Sequence, residues 1–459
     1  MNPMDLRTAI DPTELESLDV DTVIVAGIDM QGRLFGKRMS PGMFREVGSN
    51  GFHICTCVYG WDLAQTLDGL QVDYTGPHTG WHDFRLVPDL PTLRRAAWLD
   101  RTAICLADSV DDDGSGLVPI APRTILRRQE AAVRDAGYLP LTATELEFYL
   151  YRGTPDQLRA SHFSELTPTT QFHADYNIAE GNAMEPFFQR LRRALEASGI
   201  PVEVSQVEYG LGQWEINLRY ADAMEMADRH VLFKQAVKDM AAQSGLTATF
   251  MPRPMTDDLG SSCHVHASLQ SEDGDRPFSD PTRPHGMSAK LTQAIGGLLD
   301  HTAELMIWYA PTINAMRRIR TTDFAGNGLT WGLDNRTTSC RVITGSPDTT
   351  RVEFRLPGAD VNPYLVLSGV LASILDGMRS GADPGPARIG DAYATTGTSP
   401  TPLPITLEAA ASRFRDSPFA NETFGANVVQ HYAAVADFEW QQFLGAVTDW
   451  ERLRYLESI

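Results

Sequence analysis

Cysteine is scarce and scattered, with five thiols (Cys55, Cys57, Cys105, Cys263 and Cys340) in 459 residues. The Cys55-Thr-Cys57 pair has neither the spacing nor the second pair that a tetrahedral zinc site needs, and all five read as reduced thiols. Long apolar runs are also missing. None approaches the roughly 18 residues that span a bilayer, so no membrane partner is expected. The first twenty residues lack a basic stretch followed by an apolar one, so no signal peptide is predicted and the expected location is the cytoplasm. Basic side chains are outnumbered, 39 against 59 acidic, for a formal net charge of −20. That field repels a phosphate backbone and excludes nucleic acid as a partner, while a local arginine cluster still permits a nucleotide. Internal repeats and low-complexity tracts are absent as well.

What is present is an ordinary globular composition, 42% hydrophobic and 21% charged, in a chain about three times a typical domain length. Residues 20–26 are β-rich and lead through a turn at Asp29 to Gly32 into RLFGKRMS, which predicts a hairpin. The acidic, glycine-rich DDDGSG at 111–116 marks a linker, so a domain boundary is predicted near residue 112. Beyond it, helices are predicted over 123–137, 185–198 (stopped by Gly199) and 223–244, from apolar spacing. Residues 139–151, 202–218, 261–269 and 351–356 read as strands. The expected fold class is α+β, a small β-rich N-terminal domain followed by a large domain whose sheet carries chemistry on one face.

Alternate side chains on a strand share a face. In Glu145-Leu146-Glu147 both carboxylates therefore point one way, while Leu146 and Phe148 point the other. His264-Val265-His266 repeats the arrangement, and Arg351-Val352-Glu353-Phe354-Arg355 extends it to three charged groups. Glu208 and Glu215 fall on opposite faces of a regular strand, but Gly210 and Gly212 between them allow a bulge or turn that restores a common direction. Each piece alone reads as the solvent-facing side of an amphipathic strand. Together, five carboxylates and a histidine recur in strands of one expected sheet, and such a cluster repels itself unless cations sit between its members. Oxygen-rich ligation with one imidazole suits magnesium or manganese better than zinc or copper. Two such ions can bridge nucleotide phosphates during phosphoryl transfer, and the arginines supply anion-binding groups.

The segments ELEFYL (145–150), VEYGLGQWEINL (207–218), TFMPRPMTDDLGSSCHVHASL (249–269), WGLDNRTTSCRV (331–342) and RVEFRLPGADVNPYL (351–365) resemble, in order, motifs of the glutamine synthetase superfamily. The resemblance runs from about residue 20 to the C-terminus. DMQGRLFGKR (29–38) is similar to that family's N-terminal hairpin, and VTDWERLRYLE (447–457) resembles its γ-glutamylamine ligase branch. The resemblance implies a β-grasp domain over 18–112 and, over 113–459, a catalytic domain with a curved antiparallel sheet and flanking helices. It further implies a dodecamer of stacked six-membered rings with active sites between subunits. The implied reaction joins the γ-carboxylate of L-glutamate to an amine through γ-glutamyl phosphate, with ATP as co-substrate and two or three magnesium or manganese ions. By motif, Glu147, Glu208 and Glu215 would hold one metal, and Glu145, His264 and Glu353 the second. Gly260, Arg318, Arg355 and Glu147 match positions that grip glutamate. Arg336, Arg341 and Arg351 match phosphate-facing arginines, His266 and Ser268 match nucleotide contacts, and by the same resemblance Arg336 and Arg355 would carry catalysis.

The sequence departs from true glutamine synthetases in two places. The region CTCVYGWDLAQT (55–66) lacks the Asp-Gly-Ser-Ser-type segment of the ammonium site, and Phe324, with Asp323 adjacent, stands where a flap glutamate is expected. Loss of both carboxylates removes an anionic cage for a small cation and favours an amine with a carbon body. Tyr59, Trp61 and Phe324 are the candidate amine pocket, and Asp323 is the candidate base for the incoming ammonium group. The alternative of ammonium as substrate, with Asp62 or Asp323 serving instead, stays open. A non-catalytic family member would have broken metal ligands, whereas all six positions are intact here. Asp348 stands where bacterial glutamine synthetases often have a basic residue, and no tyrosine-centred adenylylation segment is evident near the C-terminus.

Overall fold

The strands form two sheets in this computed structural model, which describes residues 10–320, 328–395 and 402–459. The first sheet is built from β1 (Thr22–Ile28), β2 (Leu34–Met39), β3 (Phe52–Cys55), β4 (Asp83–Pro88), β5 (Arg94–Arg95) and β6 (Thr102–Asp111). Its order is β2-β1-β6-β4-β3, with β5 attached to β6. The predicted hairpin is β1 and β2, closed by the Asp29 carboxylate, which accepts from the backbone of Gln31 (3.0 Å) and Arg33 (2.7 Å). Gly32 sits in this turn at φ +79°, a conformation open to a residue without Cβ. β1 also pairs in parallel with β6, a long-range contact that local patterning did not reveal.

The second sheet contains β7 (Tyr138–Arg152), β8 (Thr167–Pro168), β9 (Val202–Val207), β10 (Gln213–Leu218), β11 (Ala221–Asp222), β12 (Leu246–Thr249), β13 (Cys263–Ser271), β14 (Trp331–Leu333), β15 (Cys340–Ile343) and β16 (Arg351–Phe354). Its path is β14-β15-β16-β13-β7-β10-β9, curled into a half-barrel, and among the described residues of this sheet only the β14–β15 pair is parallel. The long strand β7 is the organising element, since β8, β10, β11, β12 and β13 all pair with it.

One face of this sheet is apolar because β7 alternates. Thr144, Leu146, Phe148 and Leu150 are buried against helices. Phe148 meets Phe188, Phe233 and Phe250 at ring-centroid distances of 6.4, 6.2 and 5.4 Å. Two of those rings come from the helices Ile178–Ala197 and Ala223–Gln243. The second of these starts where the sequence predicts, capped by the Asp222 carboxylate on the Glu225 N–H (3.0 Å). The first starts seven residues earlier than the expected Glu185, because Asn177 caps it through Ala179 (2.9 Å) and Glu180 (3.2 Å) and the helix continues through Pro186. The apolar spacing that predicted the helix begins only at Phe187, so its first two turns carried no periodic signal.

The two sheets share one continuous apolar core and are joined by buried ion pairs. Arg94 of β5 makes a forked pair with Glu225 (3.1 and 3.0 Å), which also holds Arg229 (2.8 Å). Arg123 bridges Asp89, Asp108 and Asp228 at 3.0, 2.7 and 2.9 Å. Asn362 donates to the carbonyls of Asp29 and Met30 in the hairpin turn. Among the described residues no helix is long and apolar enough to cross a membrane.

Candidate active site

The opposite face of the second sheet collects the charged side chains. The register places His264 beside Glu145, Glu215 beside Glu147, and Glu353 between His266 and Arg341. The glycine pair behaves as the sequence suggests. β9 and β10 form an antiparallel hairpin in which Glu208 N–H donates to the Gln213 carbonyl (3.0 Å), with Gly212 at φ +83°. Gln206, Glu208, Gln213 and Glu215 therefore share one face. The Gln206 amide donates to both Glu208 (2.9 Å) and Glu215 (3.1 Å), and the Gln213 amide donates to Glu147 (3.0 Å).

The result is a continuous cluster of five carboxylates and two imidazoles. Glu145 meets His264 Nδ1 at 3.2 Å and His266 Nε2 at 2.8 Å. In the trios Glu145–His266–Glu353 and Glu145–Glu215–His264, one ligand atom from each residue lies within 4.8 Å of the others. Glu147 accepts from the backbone N–H of Ser262 (2.7 Å), and Glu353 accepts from Arg341 (2.8 Å) and from Arg355.

The electrostatics divide this cluster in two. Burial pushes Glu208 up to about 8, with the Glu147 charge adding to it. Burial, then Glu208 and the other cluster carboxylates, raise Glu215 well above the usual range. On the other side burial also opposes ionisation of Glu353, but Arg355 and His264 outweigh it and pull the group down to about 2. Burial opposes ionisation of Glu145 in the same way, and hydrogen bonds from His264 and His266 hold it below the usual carboxylate range. Burial and Arg355 depress His264, so a neutral imidazole faces an ionised Glu145.

The donor set fits divalent cations. Glu208 and Glu215 resist ionisation because they are buried among other carboxylates, and a cation reverses that penalty. His264 is already in the neutral form that metals require, and its buried Nε2 has no hydrogen-bond partner among the described residues. Oxygen-rich ligation with imidazole suits a hard ion.

The other expected residues lie around this cluster. Arg318 is buried and donates to Ser262 Oγ (2.6 Å) and the Leu356 carbonyl (2.8 Å). Gly260 packs so tightly beside it that an added Cβ would lie 2.9 Å from Arg318 Cγ and 2.8 Å from the Pro252 carbonyl. Arg341 links Glu353 to Asp334 (3.0 Å), and Arg351 donates to His266 Nδ1 (3.0 Å). Ser268 donates to the Thr350 carbonyl (3.0 Å) on the same edge. Arg336 is exposed just after β14 and interacts electrostatically with Asp175. Asp348 pairs with Arg276 (2.8 Å).

Tyr59 requires a correction. It is wholly buried among Phe35, Tyr74 and Phe84, with its hydroxyl 2.8 Å from Ser109 Oγ, and presents no surface to an amine. Its neighbour Trp61 is half-buried against the core of the first sheet. Asp62, the alternative ammonium ligand, accepts from the Thr66 N–H (2.8 Å) within its own turn. Asp323 and Phe324 lie outside the described residues.

Sequence reasoning missed Gln206 and Gln213, although period-two spacing from Glu208 and Glu215 puts both on the cluster face. It also missed Tyr176, which is exposed, held at φ +55° and electrostatically coupled to Glu208 and Arg336. No local signal marks that residue.

Comparison with known proteins agrees with this geometry. Residues 119–455 match the family model for the glutamine synthetase catalytic domain. The chain is 37% identical over 443 residues to a γ-glutamylethanolamide synthetase, GlnA4, of Streptomyces coelicolor, covering 96% of this chain and 94% of that one. It is 34% identical over 447 residues to a glutamate–isopropylamine ligase of a Pseudomonas species, covering 97% of each. Its fold superposes on a solved GmaS–ADP complex with a TM-score of 0.85 at 26% identity, covering 98% of this chain and 100% of that one. With five carboxylates, their histidines and their arginines on one sheet face, and with a matching catalytic-domain model over most of its length, the chain belongs to the glutamine synthetase family.

Proposed function

We propose that this chain is an ATP-dependent carbon–nitrogen ligase that joins the γ-carboxylate of L-glutamate to an organic amine, releasing ADP and phosphate and giving a γ-glutamylamide. The observation that carries this reading is the acidic and imidazole cluster facing Arg318, Arg341, Arg351 and Arg355, in a chain whose extensive relatives are named for isopropylamine and ethanolamide ligation. Glutamine synthetases use ATP and divalent metals. In our reading Glu147, Glu208 and Glu215 hold one magnesium or manganese ion, and Glu145, His264 and Glu353 hold a second. Bound there, the ions supply positive charge that offsets the phosphates and the glutamate γ-carboxylate as the two anions meet.

The protein's own part is to position and to shield. Arg318, fixed by Ser262 and the Leu356 carbonyl, is placed to hold the substrate carboxylate, with the Gly260 backbone beside it. Arg355, Arg341 and Arg351 present guanidinium groups to the phosphoryl side, Arg336 adds a mobile-length side chain at the rim, and His266 and Ser268 mark the nucleotide edge. The glutamate γ-oxygen attacks the terminal phosphorus of ATP, the bond from that phosphorus to the β–γ bridging oxygen breaks, and ADP leaves as γ-glutamyl phosphate forms. A neutral amine then attacks the acyl carbon, a proton leaves the nitrogen and phosphate departs. Exclusion of water preserves the anhydride between these steps. Asp323 remains our candidate for the proton acceptor, and Trp61 and Phe324 our candidates for the amine pocket.

We also infer that residues 18–112 act as a β-grasp domain and 113–459 as the catalytic domain of a cytoplasmic dodecamer of stacked rings. In support, Trp450, Leu453, Leu456 and Ile459 near the C-terminus are 60%, 90%, 81% and 98% exposed, an apolar surface suited to a partner subunit. The test of the acyl phosphate is isotopic. Glutamate labelled with oxygen-18 in its γ-carboxylate should pass one label to phosphate on each turnover, and unlabelled phosphate would contradict the mechanism.

A further inference from the structure

A cavity of about 550 Å³ lies on the helix side of the second sheet, away from the acidic cluster. Its walls come from the β1–β2 turn, the helix Ala223–Gln243, residues 248–252 and the helix Ala426–Gly445. Most of the lining is apolar, with Phe250, Trp308 and Phe438 among it. Two ammonium groups reach into it from successive turns of one helix, Lys234 and Lys238. Their Nζ atoms lie 5.2 and 5.8 Å from the centroid of the Phe250 ring. Lys234 donates to the Ala359 carbonyl (3.0 Å), and among the described residues no ion pair joins either lysine to a carboxylate.

Two like charges beside one aromatic ring repel, and the carboxylates that act on them, Asp360 on Lys234 and Asp239 on Lys238, do so without forming an ion pair. Burial, then Lys238, lowers Lys234 to about 8, while Lys238 itself is exposed to solvent. Asp62, Asp360, Glu439 and Arg33 are the other charged groups on its walls. Burial pushes Asp360 up to about 6, with its Oδ2 engaged by Thr312 (2.6 Å). Burial and Asp62 raise Glu439, and Arg33 is already paired with Asp29 (2.7 Å).

We propose that this cavity binds a small carboxylate with an apolar body, its oxygens between Lys234 and Lys238 and its body against Phe250 and Trp308. This ligand is distinct from glutamate, ATP and the amine, and the proposal goes beyond the ligase reading without depending on it. The cavity is also connected to the catalytic face. The Ala359 carbonyl accepts a hydrogen bond from Lys234, Ala359 N–H donates to the Ser261 carbonyl (3.1 Å), and the adjoining Ser262 N–H donates to Glu147 (2.7 Å). An occupant that moves Lys234 therefore acts a short chain of hydrogen bonds from a cluster carboxylate.

The test is calorimetric titration of the full-length enzyme with hexanoate and with phenylacetate, in saturating glutamate, magnesium and a non-hydrolysable ATP analogue. Hexanamide and phenylacetamide serve as uncharged controls. We expect at least one carboxylate to bind at least tenfold more tightly than its amide, and Lys234→Gln and Lys238→Gln each to weaken it tenfold or more. Lys238→Gln, at a solvent-reaching position, keeps the test readable if Lys234→Gln does not fold. Binding of neither acid at millimolar concentration would overturn the proposal. So would equal binding of acid and amide, displacement by glutamate, or indifference to Lys238→Gln.

Discussion

Removing one charge from the acidic cluster should stabilise the metal-free protein and at the same time abolish its response to metal. Glu208 is the group to change. In the metal-free chain, burial and the Glu147 charge raise it from 4.5 to about 8. A carboxyl raised on folding favours the native state while it stays protonated. Its contribution is thus complete below pH ~4.5 and disappears as pH climbs through about 8. At ~1.4 kcal/mol per pH unit the full effect is roughly 5 kcal/mol, and sharing of protons with Glu215 reduces it to roughly 2–5 kcal/mol.

Glu208→Gln keeps an oxygen for the Gln206 amide while deleting the charge. In EDTA the wild-type melting temperature should fall by several degrees between pH 5 and pH 8, and the variant should fall less and melt higher at pH 8. With magnesium or manganese added, the wild type should regain the lost stability and the variant should not. Thermal melts across pH 5–9, with EDTA and with each metal, measure all four conditions. A wild-type melt that ignores pH in EDTA would refute the electrostatic reasoning, and so would a variant that gains as much from metal as the wild type.

Three further outcomes follow from the same geometry. Glu353→Ala leaves Arg341 and Arg355 facing each other without their shared carboxylate, so kcat should fall at least ~100-fold while size-exclusion elution stays unchanged. Gly260→Ala forces its Cβ to within 3 Å of the Pro252 carbonyl and Arg318, so KM for glutamate should rise ~10-fold or more with nucleotide affinity retained in equilibrium binding. Arg94→Met breaks a buried pair between the sheets and should lower unfolding free energy by about 3 kcal/mol in denaturant titration, with Glu225 still partnered by Arg229.

The cluster was legible because strand alternation has a period of two and charge makes it visible. Glu145-Leu146-Glu147 and His264-Val265-His266 announce their face without any tertiary information, and β13 pairs with β7 so that the two faces coincide. Glu208 and Glu215 were legible only in part, since their spacing needed a turn whose form local sequence leaves open, and the hairpin supplied it. What stayed hidden was long-range. The parallel pairing of β1 with β6, the Arg94–Glu225 pair and the lysine-lined cavity join segments that carry no mark of one another. Tyr59 misled because an aromatic next to a divergent motif suggests a pocket wall, whereas its ring and hydroxyl are both satisfied inside the first sheet. Asn177 was overlooked because the apolar spacing that marks this helix starts only at Phe187, ten residues beyond its cap.

The central claim, ligation of glutamate to an organic amine, is tested most directly by ADP and phosphate release with glutamate, ATP and magnesium. Ammonium should be run beside alkyl, hydroxyalkyl, poly- and arylamines at equal concentration. Our account predicts that at least one organic amine supports turnover with a kcat/KM at least tenfold above that of ammonium, with the matching γ-glutamylamide recovered. Efficient turnover with ammonium and none with the amines would contradict it.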